Sequence, residues 1–253
     1  MTLLLASVRT PQEALAAAAA GADIVDLKEP RAGALGALPL AQIGAIVQAL
    51  RARFALPISA TIGDWPAGAV ATIVAQAGAV AATGVDYVKV GIERGPHARA
   101  TLARLAALPA RVVPLFVADR GLDLALIDAA CELGFAIVMV DTADKRAGSL
   151  FDCVAFETLR ALRQRVHAAG ARVGLAGALR FEHVARLREL DPDIAGFRGA
   201  LCDGDRTGTL DPAKVGALRA ALCAHGAAQA RSALSAAAAR PAAARPDAPA
   251  RSG

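Results

Sequence analysis

Short apolar runs of five to seven residues, rich in Val, Ile and Leu, alternate along the chain with longer stretches whose apolar positions return every three or four residues. The runs suit buried strands, and the returning positions suit amphipathic helices. The pattern predicts strands over Leu3–Ser7, Asp23–Lys28, Pro57–Thr61, Asp86–Gly91, Val112–Ala118, Ala136–Asp141, Arg172–Ala176 and Asp193–Arg198. It predicts helices over Pro11–Ala20, Leu40–Arg53, Ala69–Thr83, His97–Ala107, Leu122–Leu133, Phe156–Ala169, Phe181–Leu190 and Pro212–Ala224. Gly21, Gly84, Gly134 and Gly170 stand where helices should stop, and a left-handed cap suits glycine there. Eight strands alternating with eight helices imply a parallel sheet with right-handed crossovers. At this length, closure into a single (β/α)8 TIM barrel is the economical solution. An open doubly wound sheet is the alternative, but no G-x-G-x-x-G follows the first strand.

Composition narrows the picture. The chain has 253 residues, 55% hydrophobic but only 4% aromatic, so its core must be built from Ala, Val, Leu and Ile. The pattern ends near residue 225, giving one barrel domain over 1–225. Residues 226–253 turn to Ala, Pro and Arg low complexity and are expected to be a disordered tail. The first residues lack a basic leader, and no run approaches the roughly 18 apolar residues of a membrane span. A cytoplasmic protein with no membrane partner is expected. The net charge of +5 lies largely in the tail, where four arginines face one aspartate. No basic stripe with interleaved aromatics remains on the body, so nucleic acid is not an expected partner. The four cysteines show no C-x-x-C spacing, and His97, His167, His183 and His225 are scattered, so no metal site is expected.

Lysine usage is where chemistry enters. Of 28 basic residues only Lys28, Lys89, Lys145 and Lys214 are lysine. A primary amine can lose its proton and attack a carbonyl, which a guanidinium cannot. Lys28 ends the second predicted strand, Lys89 lies at the end of the fourth and Lys145 follows the sixth, whereas Lys214 lies on the last helix, where an exposed position is expected. Barrel active sites lie at strand C-terminal ends, and inward side chains of alternate strands share a layer. Asp26 shares the parity of Lys28, so Lys28, Lys89, Asp26 and Asp141 are expected to converge on one pocket. A second cation near Lys28 would lower its pKa, and the aspartates would hold Lys89 or relay protons. Ordinary rim salt bridges are the plain alternative.

The seventh and eighth strands lead into Gly177-Ala178-Leu179-Arg180 and Arg198-Gly199-Ala200. Barrels often bind phosphate at these two loops through backbone N–H groups. Gly177, Gly199 and Arg198 are therefore candidate phosphate contacts, with Asp64 adding a carboxylate at the third strand end.

At these residues the sequence resembles the (5-formylfuran-3-yl)methyl phosphate synthases, also called 4-(hydroxymethyl)-2-furancarboxaldehyde-phosphate synthases, of methanofuran biosynthesis. The stretches that carry it are Gly21-Ala22-Asp23-Ile24-Val25-Asp26-Leu27-Lys28-Glu29-Pro30, Gly33-Ala34-Leu35-Gly36, Ser59-Ala60-Thr61-Ile62-Gly63-Asp64 and Gly84-Val85-Asp86-Tyr87-Val88-Lys89-Val90-Gly91. Asp141-Thr142-Ala143, Leu175-Ala176-Gly177 and Arg198-Gly199-Ala200 continue it in unbroken order. The resemblance implies a lyase that condenses two glyceraldehyde 3-phosphates into one furan phosphate, with loss of one phosphate and two waters. It implies Lys28 as the Schiff-base residue, Lys89 as proton donor and acceptor, and Asp26, Asp141 and Lys145 as further pocket groups. It implies no cofactor, a small phosphorylated triose as partner, and a place in C1 metabolism. Barrels of this kind often associate through outer helices, so a homo-oligomer is expected. Two rivals stand beside it: a class I aldolase acting on another sugar phosphate, and a non-catalytic phosphometabolite-binding barrel.

Overall fold

The computed structural model describes residues 1–33, 35–144 and 148–224. Eight parallel strands close on themselves in sequence order. They are β1 (Leu3–Val8), β2 (Ile24–Leu27), β3 (Ile58–Thr61), β4 (Tyr87–Ile92), β5 (Val112–Val117), β6 (Ile137–Asp141), β7 (Arg172–Leu175) and β8 (Ile194–Phe197). The helices are α1 (Pro11–Ala19), α2 (Leu40–Arg51), α3 (Val70–Ala81), α4 (Ala98–Ala106), α5 (Leu124–Glu132), α6 (Leu150–Cys153), α7 (Phe156–Ala168) and α8 (Val184–Leu190). A last helix, α9, spans residues 212–224. The eighth strand returns to the first, with Leu5 opposite Gly196. The single TIM barrel read from the sequence is the observed fold.

The strand pattern succeeds because each strand is buried on both faces, so it reads as an apolar run rather than an alternation. Residues of one parity face outward and join the helices in the larger core, among them Leu4, Ala6, Val25, Leu27, Val88, Val138, Val140 and Val173. Residues of the other parity fill the barrel, among them Leu5, Ile24, Val113, Leu115, Ile137, Met139 and Ile194. Polar groups take over that inward parity toward the C-terminal end. Ser7, Asp26, Ser59, Thr61, Lys89 and Asp141 are all buried. The interior is thus greasy at the bottom and ionic at the top.

Local chemistry sets the boundaries. Thr10 caps α1, its Oγ1 accepting from the N–H of Glu13 at 3.1 Å, and Pro11 opens the helix where no N–H is needed. Asp123 caps α5 in the same way. Gly21, Gly84, Gly134 and Gly170 all take positive φ after their helices. The stretch read as one helix over Phe181–Leu190 begins as a 3-10 turn, Phe181–His183, before α8. His183 explains the break, because its Nδ1 accepts the Arg180 N–H at 3.0 Å. The four-residue α6 was too short for any periodicity to reveal.

Candidate active site

The inward polar residues meet above the apolar floor. Asp26 is fully buried on β2 and its carboxylate is surrounded. Ser7 Oγ on β1 donates to Oδ2 at 2.9 Å, and Ser59 Oγ on β3 donates to Oδ1 at 2.6 Å. Lys89 Nζ on β4 pairs with Oδ1 at 2.7 Å. The strand register makes this possible: Ser7 lies opposite Asp26, Asp26 opposite Ser59, and Thr61 opposite Lys89. A buried ion pair survives desolvation only when its remaining lone pairs are also satisfied, and the two serines do that here.

Lys28 follows β2 and is 5% exposed, against 4% for Lys89. Both amines line one cavity of about 810 Å³ at the C-terminal mouth, with Ser7 and Asp141. Asp141 ends β6, and its Oδ1 accepts the Thr142 N–H at 2.7 Å. Lys28, Lys89 and Asp141 therefore converge, with Asp26 directly beneath Lys89. Lys145 lies outside the described residues. The segment leading to it is pinned, since the N–H groups of Ala143 and Asp144 donate to the Asp119 carboxylate at 2.8 and 2.7 Å.

Loops after β7 and β8 wall the other side of this cavity. Among the described residues, the N–H groups of Gly177, Ala178, Gly199 and Ala200 donate to no protein acceptor. Gly177 has φ +114°, and a Cβ there would stand 2.9 Å from Thr142 Cγ2. Ala178 holds φ +45° without being glycine, a strained conformation of the kind kept where backbone groups must face a site. Successive free N–H groups of this sort form anion-binding concavities.

Two expectations meet different geometry. Arg198, assigned from the sequence to phosphate, has its five N–H groups committed to protein oxygens. They reach both Glu13 carboxylate oxygens at 2.7 and 3.1 Å and the carbonyls of Ser7, Arg206 and Gly208. Its task in this arrangement is to hold the loop after β8 against α1. Burial pushes the Glu13 carboxyl up, but the Arg198 guanidinium outweighs it and holds the group below the ordinary value. Asp64 is on the rim but lines an adjoining lobe of about 330 Å³ with Trp65, Glu93 and Arg120. Gly33, Asp141 and Ala143 border both spaces. Lys214 is exposed as expected, its side chain at 40%, and also bonds the Cys202 carbonyl and Asp203 Oδ1 at 2.8 Å each, tying α9 to the loop after β8.

Sequence reasoning did not single out Ser7, Ser59, Glu13 or Arg206. The two serines had a legible signal, since each sits at inward parity in an otherwise apolar strand. Glu13 and Arg206 carry no such mark, because their partners are 185 and 173 positions away.

No helix is long and apolar enough to cross a membrane among the described residues. A closed parallel barrel with buried amines and carboxylates at the catalytic rim defines a TIM-barrel enzyme. Solved structures agree on the fold. 3-Hexulose-6-phosphate synthase from Salmonella typhimurium superposes with TM-score 0.62 at 18% identity, over 88% of this chain and 100% of that one. Phosphoribosyl anthranilate isomerase from Thermus thermophilus gives 0.58 at 16% identity, over 90% and 100%. Sequence comparison narrows the class: residues 4–219 match the family described as 4-HFC-P synthase, and the chain belongs to that family. A Methylorubrum extorquens protein, provisionally named (5-formylfuran-3-yl)methyl phosphate synthase, is 40% identical over 84% of this chain and 88% of its own. The synthases so named from Methanosarcina mazei and Archaeoglobus fulgidus are 35% and 33% identical, each over 81% of this chain and 92% of theirs.

Proposed function

We propose that this enzyme condenses two glyceraldehyde 3-phosphates into (5-formylfuran-3-yl)methyl phosphate, releasing one phosphate and two waters, through an imine on Lys28. The observation that carries the reading is the pair of buried amines, Lys28 and Lys89, in one cavity, with Lys89 paired to the fully buried Asp26. Lys28 Nζ would attack the aldehyde carbon and expel water to form the imine. The imine then accepts the electron pair left when the adjacent carbon loses its proton, which permits both phosphate elimination and carbon–carbon bond formation. Hydrolysis returns the Lys28 amine.

Lys89 would move the protons. Its ammonium donates to a departing oxygen, and Asp26, held by Ser7 and Ser59, keeps it placed to take a proton back. Asp141 faces the same space from β6 and would orient the hydroxyl groups of the triose. The free N–H groups of Gly177, Ala178, Gly199 and Ala200 would hold a phosphate. No step in this scheme transfers electrons to a cofactor. The product's place in methanofuran-type C1 carrier biosynthesis follows from the family.

The test is borohydride reduction with glyceraldehyde 3-phosphate, followed by peptide mass spectrometry. A triose-derived adduct on Lys28, absent in Lys28→Arg together with at least a thousandfold loss of turnover, is expected. An unmodified Lys28 under turnover conditions would overturn the imine. Formation of a sugar phosphate instead of the furan would point to a class I aldolase.

A further inference from the structure

The loop after β8 is built to carry one side chain past β1 to the loop after β2. Its ends are joined by an antiparallel bridge between Cys202 and Leu210. Arg198 holds the Arg206 and Gly208 carbonyls at 2.9 and 2.7 Å. Asp205 Oδ1 accepts from the Thr207 N–H and Oγ1, both at 2.7 Å. A loop tied at so many points does not need Arg206 for its own stability. The Arg206 side chain leaves it, reaches the loop after β2 and donates through Nη2 to the Gly33 carbonyl at 3.2 Å.

This cation is short of counter-charge. It is half-buried, yet among the described residues no carboxylate stands within ion-pair distance of it. Burial pushes its pKa down; Asp141, Asp205 and Asp64 are near enough to oppose that shift, while Arg198 adds to it. A neutral carbonyl at 3.2 Å is a weak match for a guanidinium, whose planar fork suits a phosphate or carboxylate far better. The Gly33 to which it is latched borders both the large cavity and the adjoining lobe. Arg206 thus lines the large cavity together with Lys28, and its side chain ends at the glycine that borders both spaces. The free N–H groups of the β7 and β8 loops lie in the large cavity alone.

We infer that Arg206 is a second anion contact of this site, exchanging its Gly33 carbonyl bond for the phosphate of a second triose. The inference rests on the proposed function for the identity of the substrate. Two phosphorylated trioses must be held with their carbonyl ends together and their phosphates apart. The N–H cradle at Gly177 and Gly199 takes one phosphate, and the Arg206 guanidinium, at the Gly33 end of the same cavity, takes the other. Arg206 is then a specificity residue, and its bond to Gly33 is the latch that the second substrate opens.

The test uses glycerol 3-phosphate, which has the phosphate but no carbonyl and forms no imine. Calorimetric titration of the full chain is expected to give two bound equivalents, and Arg206→Gln should weaken one at least tenfold while leaving the other. Arg206→Lys, which keeps the charge and loses the fork, should fall between. A single equivalent in the native chain, or unchanged binding in a folded Arg206→Gln, overturns the inference. Borohydride trapping on Lys28 at saturating triose should persist in Arg206→Gln, with the KM for triose raised at least tenfold. Failure of trapping in the native chain would instead count against the imine and leave the anion contact standing on the titration.

Discussion

Along the β7, β8 and β2 side of the mouth, free backbone N–H groups, Lys28 and Arg206 surround the large cavity, whereas on the β3 to β5 side Asp64 and Glu93 line the smaller lobe. The one arginine in that lobe, Arg120, is paired with Glu93. The two sides also differ in how they are held. The cationic side hangs on a buried ion pair, Arg198 with Glu13, linking the loop after β8 to α1. The acidic side has only the exposed Arg120–Glu93 pair among its described ion pairs, beside single hydrogen bonds such as Trp65 Nε1 to the Ile62 carbonyl at 2.9 Å. The difference teaches that the mouth is polarised. On the proposed function, a phosphate would be attracted to one arc and repelled by the other, and a phosphorylated carbonyl compound would enter in one orientation, with its carbonyl end toward the lysines.

The strongest way to break this comparison is at its centre. Lys89→Met leaves Asp26 buried with the Ser7 and Ser59 hydroxyls but without the Lys89 ammonium. Removing one partner of a buried pair costs about 3–5 kcal/mol, and losing a proton-transfer group costs about 10²–10⁴ in rate. Urea unfolding and turnover measured on the same preparation should show both losses. A stable Lys89→Met enzyme with native turnover would remove the ionic layer from the mechanism.

The next effect tests the scaffold of the cationic arc alone. Glu13→Gln keeps the shape of the buried pair and removes its charge, with an expected stability loss of about 2–3 kcal/mol near neutral pH. The pH dependence follows from the depressed carboxyl. Glu13 ionises in the folded chain at a lower pH than its ordinary value of 4.5. Its contribution is therefore complete above about that pH and is lost as pH falls through the lower, folded value. The stability gap between the native chain and Glu13→Gln should stay constant from neutrality down to that point and shrink below it. A gap that widened on acidification would show that Arg198 does not hold the carboxylate.

How much of this polarity was legible in the chain depends on sequence distance and parity. All eight strands were readable within two residues, because both faces are apolar and glycine marks the ends of four helices. Lys28, Lys89, Asp26 and Asp141 were readable as a cluster, because strand ends share one rim and inward parity repeats every second residue. Arg198 was misjudged for a physical reason. A single arginine beside a glycine reads as a phosphate contact, and nothing local reveals that Glu13, in the first turn of α1, would claim it. Arg206 was invisible in the same sense, since its meaning lies in the Gly33 carbonyl, 173 positions away, which comes near only when β8 closes on β1. Residues whose role is fixed by the backbone's own periodicity are readable; those fixed by closing the barrel are not.

The smallest effect sharpens the acidic arc. Glu93 is exposed, so its field is screened by water and salt, and a change there should be felt weakly at the cavity. Glu93→Gln removes one negative charge from the lobe and releases Arg120 from its partner. If the acidic arc serves to keep phosphate on the other side, glycerol 3-phosphate should bind about two- to threefold more tightly to this variant at low ionic strength. The gain should vanish at about 1 M salt, where the screening length falls to about 3 Å. Turnover should move the opposite way or not at all, because an anion drawn into the lobe is drawn away from Lys28 and Lys89, which line the large cavity. A tenfold or larger change would mean that Glu93 touches the ligand directly, and the lobe would then belong to the binding site rather than to its repulsive wall.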